Sequence, residues 1–307
     1  MSSGVWEIEV DKGNWTVKCD GYEDGTVSVS SVKVYDIVMS IAISTTLNDN
    51  SWEIISMISQ QGKATQYWSV GDRKTIIMNG TINTVTLTNY EIQVFIIGMN
   101  HNSALEGENL IHFKIGKKNI IGIDTQRAFY DQYYENESYS LRKQFCMHLD
   151  TSTGRGYNAR GWKGAVQMRA ILTAMQNALP SELQNVLKTC SKYTDNVANG
   201  SEAPENVTPT SDTLSLCSSV EIFNEVGHSN PAEANYQQQY DYYKAGNNKR
   251  YYGYSQNKNM DIWMRSPYAK TTTMYCLQYE TTTSPYTVIS DAIDGNRSRG
   301  VSPIFFV

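Results

Sequence analysis

Charge is what this chain has least of. Only 19% of its 307 residues are charged and the formal net charge is -5, so no sustained basic face exists to gather phosphates, and nucleic acid is not an expected partner. The richest basic run, Lys249, Arg250 and Lys258 among tyrosines, offers at most a place for single-stranded bases to stack. Long apolar runs are missing as well. None approaches the roughly 18 residues that a membrane span needs, so membrane insertion is not expected. The first residues, Met1-Ser2-Ser3-Gly4-Val5-Trp6-Glu7, lack the basic and apolar regions of a secretion signal, which points to a soluble chain made in the cytoplasm and not exported by itself.

Cysteines are few and dispersed. Cys19, Cys146, Cys190, Cys217 and Cys276 form an odd set with no Cys-x-x-Cys pair, against both a zinc module and a dense disulfide framework. Reduced, mostly buried thiols are the expectation, with one or two long-range bridges as the alternative.

Catalytic signatures are equally sparse. The four histidines, His101, His112, His148 and His228, are not visibly paired. Cys146-x-His148 places a thiol near an imidazole, but a nucleophile also needs a base in reach and a third group to orient it. The carboxylates Asp72, Asp124, Asp150, Asp261 and Glu221 are isolated in sequence, which neither makes nor excludes a glycosidase pair. Gly154-Arg155-Gly156 lacks the preceding strand and third glycine of a dinucleotide loop. Asp291 to Asn296 reads as a turn before it reads as a cation loop. No catalytic residue, metal or cofactor is assigned.

What the chain does have is tyrosine: 21, against seven phenylalanines. The phenol is a polar handle suited to half-wet surfaces, although strands also favour aromatics. The tyrosines gather near the C-terminus, where two apolar ends, Asp261-Ile262-Trp263-Met264-Arg265-Ser266-Pro267 and Arg299 to Val307, enclose a segment crowded with Thr, Tyr, Ser and Asn. Rigid aromatic area beside adaptable hydrogen-bonding groups suits recognition more than catalysis. The candidate ligand-binding residues are therefore Tyr251, Tyr252, Tyr254, Tyr268, Tyr275, Tyr279, Tyr286, Asn257 and Asn296. Arg265, between Trp and Pro, is expected to be partly buried, to need carboxylate or carbonyl partners, and to support structure.

Residues 1–48 alternate in the strand manner, with Trp15 to Lys18 after a Lys12-Gly13-Asn14 turn and further runs at 27–34 and 37–43. They read as a small β arm, a possible attachment module. Leu47-Asn48-Asp49-Asn50 marks a boundary. A short helix follows, capped by Asn50 or Ser51 and ended by Gly62. Asn79-Gly80 after Lys74 to Met78 signals a hairpin turn, with strands at 84–87 and 90–99. Apolar residues from Trp162 to Leu187, Val166 among them, recur on one helical face, and Pro180 starts a new helix. Residues 192–210 read as an exposed polar loop, 245–299 as a second loop-rich stretch, 213–217 as a short strand and 236–244 as a polar, tyrosine-rich helix or turn. The fold class is α+β, with helices inserted among antiparallel strands.

Several blocks also resemble a known family. Trp52 with its helix, Gly62-Lys63-Ala64, Tyr67-Trp68-Ser69-Val70-Gly71-Asp72, Asn79-Gly80, Ile97-Gly98-Met99-Asn100-His101-Asn102, Gly161-Trp162-Lys163-Gly164 with Met168-Arg169, Leu179-Pro180, Trp263-Met264-Arg265-Ser266-Pro267 and Gly300 to Phe305 are similar, in order, to the family called domain of unknown function 6273. The resemblance runs from about residue 50 to the C-terminus and rests on the blocks as a set. Met264 and Ser302 depart from the residues usual there. That family occurs in surface proteins of Gram-positive bacteria and their phages. Its closing blocks are similar to those of C-type-lectin-like and formylglycine-generating-enzyme-like domains, which implies a C-type-lectin-like domain over residues 49–307, with Trp52, Trp162, Trp263, Arg265, Pro267, Gly300 and Pro303 as structural positions. The enzyme relatives' cysteine pair has no counterpart around Cys276.

The leading expectation is a non-catalytic phage virion surface protein, on tail or capsid, that binds a host-surface or mucosal glycan or protein through its C-terminal loops. Its other partners would be virion subunits, including copies of itself. The alternatives are a purely structural decoration or connector protein, and an oxidase of the formylglycine-generating type or a hydrolase using His101, Cys146 or Cys276.

Overall fold

The computed structural model describes residues 10–18, 22–31, 41–120, 123–129, 145–148, 160–253, 259–280, 288–294 and 299–307, with the backbone alone for 118–120, 123–125, 274, 277–280 and 288–294. The chain is mixed α+β, mostly sheet with few and short helices. It divides into two compact units, Met1–Thr45 and Thr46–Val307.

In the first unit, β1 (Gly13–Val17) pairs antiparallel with β2 (Gly25–Val29), Trp15 opposite Val27. Trp15 is 41% exposed and its indole donates to the Asp11 carbonyl at 2.9 Å.

The second unit begins with α1 (Trp52–Gln60), where the Ser51 Oγ accepts from the Ile54 amide at 3.2 Å. This satisfies one of the amides a helix start leaves unpaired. Gly62, at φ 68°, takes the left-handed step that ends it. Trp52, Ile55 and Ile58 turn one face of α1 inward. There the Trp52 indole meets Phe113 edge-on at 5.4 Å and Phe305 at 6.1 Å, while Phe113 and Phe305 stack at 5.2 Å. Each large side chain so buried contributes about 1.5–3 kcal/mol.

Phe113 and Phe305 belong to a seven-stranded sheet. Its strands are β3 (Arg73–Ile82), β4 (Val85–Met99), β5 (Ile111–Ile120), β6 (Ile123–Ala128), β9 (Leu214–Ser215), β10 (Tyr251–Gly253) and β14 (Ile304–Phe306). The C-terminal strand β14 inserts between β5 and β9, both antiparallel to it. All seven residues from Val301 to Val307 are buried.

The hairpin expected at Asn79-Gly80 lies elsewhere. β3 runs through those residues as a bulge, and the turn is at Asn83 (φ 55°), where Ile82 faces Val85. The C-terminal end of α4 (Val166–Asn177) decides this. The Asn79 amide donates to the Ala178 carbonyl at 3.0 Å, and a Cβ on Gly80 would sit 3.3 Å from the Ala178 Cβ. Tertiary contact thus overrides a strong local turn signal. The two strands expected at 84–87 and 90–99 are one strand, β4, with Asn89 at φ 47° inside it. Trp162 lies in a 3-10 turn before α4, and Val166 is 58% exposed rather than on the buried face.

Two larger corrections concern the loops. Residues 192–210 are not an exposed loop throughout: β7 (Cys190–Asp195) pairs with β8 (Val207–Asp212), and Lys192, Thr194 and Asp195 are fully buried. Within 245–299, β10 joins the large sheet, while β11 (Ile262–Pro267), β12 (Met274–Glu280) and β13 (Val288–Asp294) form an antiparallel sheet of three. The remaining helices are short: α2 (Ala64–Tyr67), α3 (Ser103–Glu106), α5 (Ser181–Gln184), α6 (Ser219–Phe223) and α7 (Asp241–Lys244). Pro180 is the cap of α5.

Candidate functional site

Where β4 ends, Asn100 and Asn102 adopt left-handed conformations and pass the chain into α3. That turn brings His101 and Glu106 against His112 of β5, Lys192 of β7, Glu221 of α6 and Arg265 of β11. All six side chains are buried.

Glu221 is fixed by its own helix. Ser218 and Glu221 form a capping box, in which the Ser218 Oγ accepts from the Glu221 amide at 3.2 Å and the Ser218 amide donates to Glu221 Oε2 at 2.9 Å. Arg265 then donates from both terminal nitrogens to the two Glu221 oxygens, with the NH2 to Oε1 distance 3.0 Å. Two further donors go to Thr194 Oγ1 and the Leu216 carbonyl, both at 2.9 Å. The Lys192 ammonium spends all three protons: on Glu106 Oε2 at 2.6 Å, the Tyr240 hydroxyl at 2.8 Å and Glu221 Oε1 at 2.9 Å. Tyr240 is in turn 3.0 Å from His112 Nδ1 and stacks on His101 at 4.0 Å.

Two carboxylates and two cations therefore balance inside the protein. This is the condition under which buried charge is tolerated. Burial pushes the Glu221 carboxyl up, but Arg265 and then Lys192 pull it further down, so it is held below the ordinary carboxylate range. Burial raises the proton affinity of Glu106 more than Lys192 lowers it. Burial and then Lys192 hold the His101 imidazole neutral, at about 3, and His112 is lowered by the same two causes.

A second layer surrounds Glu233. Its carboxyl accepts from Ser266 Oγ at 2.5 Å, the Asp195 amide at 2.9 Å and Gln237 Nε2 at 3.0 Å. Burial outweighs these bonds and raises it to about 7.

No activated nucleophile emerges from this arrangement among the described residues. Burial pushes the Cys190 and Cys217 thiols up, opposite to what a reactive thiolate needs. Cys146, Cys190, Cys217 and Cys276 are reduced thiols and buried; Cys19 lies outside the described residues. Two triplets have the spacing of metal ligands, Glu106 with His112 and Cys190, and His101 with Glu106 and Glu221. In both, Lys192 already supplies Glu106 with its positive charge at 2.6 Å. A divalent ion at the second triplet would leave an uncompensated excess of two charges, and at the first it would have to deprotonate the Cys190 thiol that burial holds protonated, so neither donor set fits a resident metal.

No family model, curated protein or solved structure matches the chain. The site is therefore argued from geometry.

The candidate ligand-binding residues are dispersed. Tyr251 and Tyr275, expected on a presented surface, are 2% and 0% exposed. Tyr251 sits in β10 with its hydroxyl 3.1 Å from that of Tyr243, and Tyr275 donates to the Gly161 carbonyl at 2.8 Å. Each phenol has found a partner inside, which lets the ring be buried. Tyr252 is half-buried under the Arg127 guanidinium at 5.6 Å, and Tyr268 is half-buried against His228 at 4.8 Å. Tyr279 lies on β12 opposite Ile289, with its side chain outside the described set. Tyr254, Asn257, Tyr286 and Asn296 lie outside the described residues.

The structural positions are all buried. Trp162 donates to Asp212 Oδ2 at 2.7 Å and Trp263 to the Phe145 carbonyl at 2.8 Å. The Trp263 amide donates to the Gly300 carbonyl at 2.9 Å, joining β11 to the tail, and the Pro303 carbonyl accepts from the Ile115 amide at 3.0 Å. The Pro267 carbonyl accepts from the Cys276 thiol at 3.9 Å.

Sequence reading missed Glu106, Lys192, Tyr240 and Glu233. One signal was available: Ser218-x-x-Glu221 is a capping-box spacing, which would have placed Glu221 at a helix start.

Proposed function

We propose that residues 46–307 form a C-type-lectin-like domain related to the family called domain of unknown function 6273, and that the protein is a non-catalytic recognition protein displayed on a phage particle. The observation that carries this reading is the mutual pairing of four buried charges, Glu106 and Glu221 with Lys192 and Arg265. Lys192 has no donor left for a substrate, Arg265 gives four of its five N–H groups to the protein, and the nearby thiols are held protonated. That interior supports a scaffold, and a scaffold of this kind leaves function to its loops.

The family-like blocks support the same reading, because they pack on one another. Trp52 touches Phe305, the strand holding Trp263 is bonded to Gly300, and Arg265 anchors Glu221. The ligand is a host-surface or mucosal glycan or protein, and the contact runs through C-terminal loop residues such as Tyr252 and Tyr268. Tyr251 and Tyr275 are withdrawn from that surface as core residues.

Two measurements test the reading. The protein should be found in purified particles by mass spectrometry, and the purified chain should bind host cells with an affinity that falls when Tyr252 and Tyr268 become Ala in a folded variant. Recovery only from cytoplasm would sink the particle assignment. Presence in particles without any binding would move the protein to a structural, decorating role.

A further inference from the structure

Beside the buried cluster the surface opens into a cleft of about 420 Å³, within the range of about 300–1,000 Å³ usual for small-ligand sites. Its lining is unusual in kind. Six amide residues line it, Asn100, Asn102, Asn224, Gln237, Gln238 and Gln239, with one acid, Asp241, one ammonium, Lys244, and Met99 and His101.

Three of these amides are held at one end. Asn100 Oδ1 accepts from the Asn109 amide at 2.9 Å, Asn102 Nδ2 donates to the Tyr236 carbonyl at 2.8 Å, and Gln239 Nε2 donates to the Ile222 carbonyl at 3.0 Å. Gln237 is held at both ends, by Tyr193 and Glu233 on its nitrogen and Ser218 on its oxygen. What remains without a protein partner among the described residues is a set of oriented halves: Asn100 Nδ2, Asn102 Oδ1 and Gln239 Oε1, beside the whole side-chain amides of Asn224 and Gln238. Donors and acceptors are mixed, and the three tethered amides are oriented before any ligand arrives.

We propose that this cleft binds a neutral, polyhydroxylated ligand, a short uncharged oligosaccharide, separately from the C-terminal loops. A sugar hydroxyl both donates and accepts, so it matches mixed amide groups, while an ionic ligand meets Asp241 and Lys244 of opposite sign. Tethered amides lose little freedom on binding, which lowers the cost of association. Two stacked rings belong to residues whose carbonyls hold the cleft amides of Asn102 and Gln237. Tyr193 and Tyr236 stack at 4.8 Å with their planes 4° apart, both rings half-exposed, and the Tyr236 carbonyl takes the Asn102 amide.

The experiment is a glycan array of neutral, sialylated and sulfated oligosaccharides probed with the full chain, followed by calorimetry on the best neutral binder. The expected result is binding confined to neutral glycans. The Asn224→Asp/Gln238→Ala double variant should weaken it tenfold or more with an unchanged Tm, while Val166→Ala, at an exposed residue that lines no part of the cleft, leaves it as in the parent. Absence of any neutral binder, preference for sialylated or sulfated glycans, or parental affinity in the cleft variant would each overturn the proposal. Loss in the Tyr252→Ala/Tyr268→Ala variant, with parental affinity in the cleft variant, would assign the binding to the C-terminal loops, so the two sites fail separately.

Discussion

The Arg265 guanidinium and the Glu221 carboxylate form a two-point ion pair sealed from solvent, both side chains being 0% exposed. Replacing Arg265 by Met leaves Glu221 with Lys192 as its remaining cationic partner and strips Thr194 and Leu216 of a donor. Removing one member of a buried pair costs about 3–5 kcal/mol, and urea unfolding of Arg265→Met should show a loss of that size. The Arg265→Met/Glu221→Gln double variant should lose less than the two single losses added together, because the orphaned charge is gone. Additive losses would mean the two residues do not act as a pair.

Glu233 makes stability depend on pH with a definite sign. Its carboxyl titrates near 7 in the folded chain against 4.5 ordinarily, because burial outweighs its three hydrogen bonds. The folded state keeps a proton that the unfolded chain has already lost. Stability from this group is therefore complete below pH 4.5 and falls as pH rises to 7, by on the order of 3 kcal/mol. Glu233→Gln removes the titration. In urea unfolding from pH 4.5 to 8, the variant should gain on the parent as pH rises, and a gap that stays constant would sink the assignment.

How much of this was legible in sequence depends on how local the cause is. The Ser51 cap with Trp52 behind it, Pro180 before α5, and Ile262 to Pro267 as a strand all follow from neighbours in the chain. Arg265 between Trp and Pro already reads as a cation in need of partners. Its partners Thr194 and Glu221 lie 71 and 44 residues away, and no spacing rule names them. Lys192 is the sharpest miss. A lysine in a polar stretch reads as solvated, and only β8 pairing and two distant carboxylates make its burial affordable. Asn79-Gly80 failed for the same reason, since Ala178 settles its geometry. Tyrosine misled through composition, because Tyr251 and Tyr275 hide their hydroxyls in bonds that only the fold creates.

His101 acts in the opposite sense to Glu233. Its imidazole is held at about 3, against 6.5, by burial and then by Lys192. Below pH 6.5 the unfolded chain takes a proton that the folded chain refuses. Stability from His101 is thus complete above 6.5 and is lost as pH falls towards 3, by on the order of 5 kcal/mol. His101→Gln, which cannot titrate, should stand below the parent at neutral pH and close the gap as the solution is acidified. A gap that widens in acid would contradict the burial argument.

Chelation offers a separate check on the cluster. With Lys192 donating to both Glu106 and Glu221, no divalent ion is needed to hold the carboxylates together. Thermal unfolding in excess EDTA should match that in its absence. A Tm lowered by several degrees would show that a bound cation shares the work assigned to Lys192.

Among the described glycines, Gly161 has the least room for a side chain. At φ 50°, a Cβ there would lie 1.7 Å from the Asp195 carbonyl oxygen. That carbonyl cannot retreat easily, because the Asp195 amide bonds Glu233 and its carboxylate takes the amides of Val197 and Ala198 and the Asn230 side chain. Gly161 also accepts the Tyr275 hydroxyl through its own carbonyl. Gly161→Ala must therefore part β7 from the turn before α4 or break the Tyr275 bond, at a cost of at least about 4 kcal/mol. Gly246 supplies the control. It too has a positive φ, 80°, but a Cβ there meets nothing within 4 Å, so Gly246→Ala should cost only the left-handed strain of about 1–2 kcal/mol. Equal losses in chemical denaturation would mean that backbone strain alone acts at both sites. A much larger loss at Gly161 would locate the close approach of β7 as the contact that positions Lys192 and Thr194 against Arg265 and Glu221.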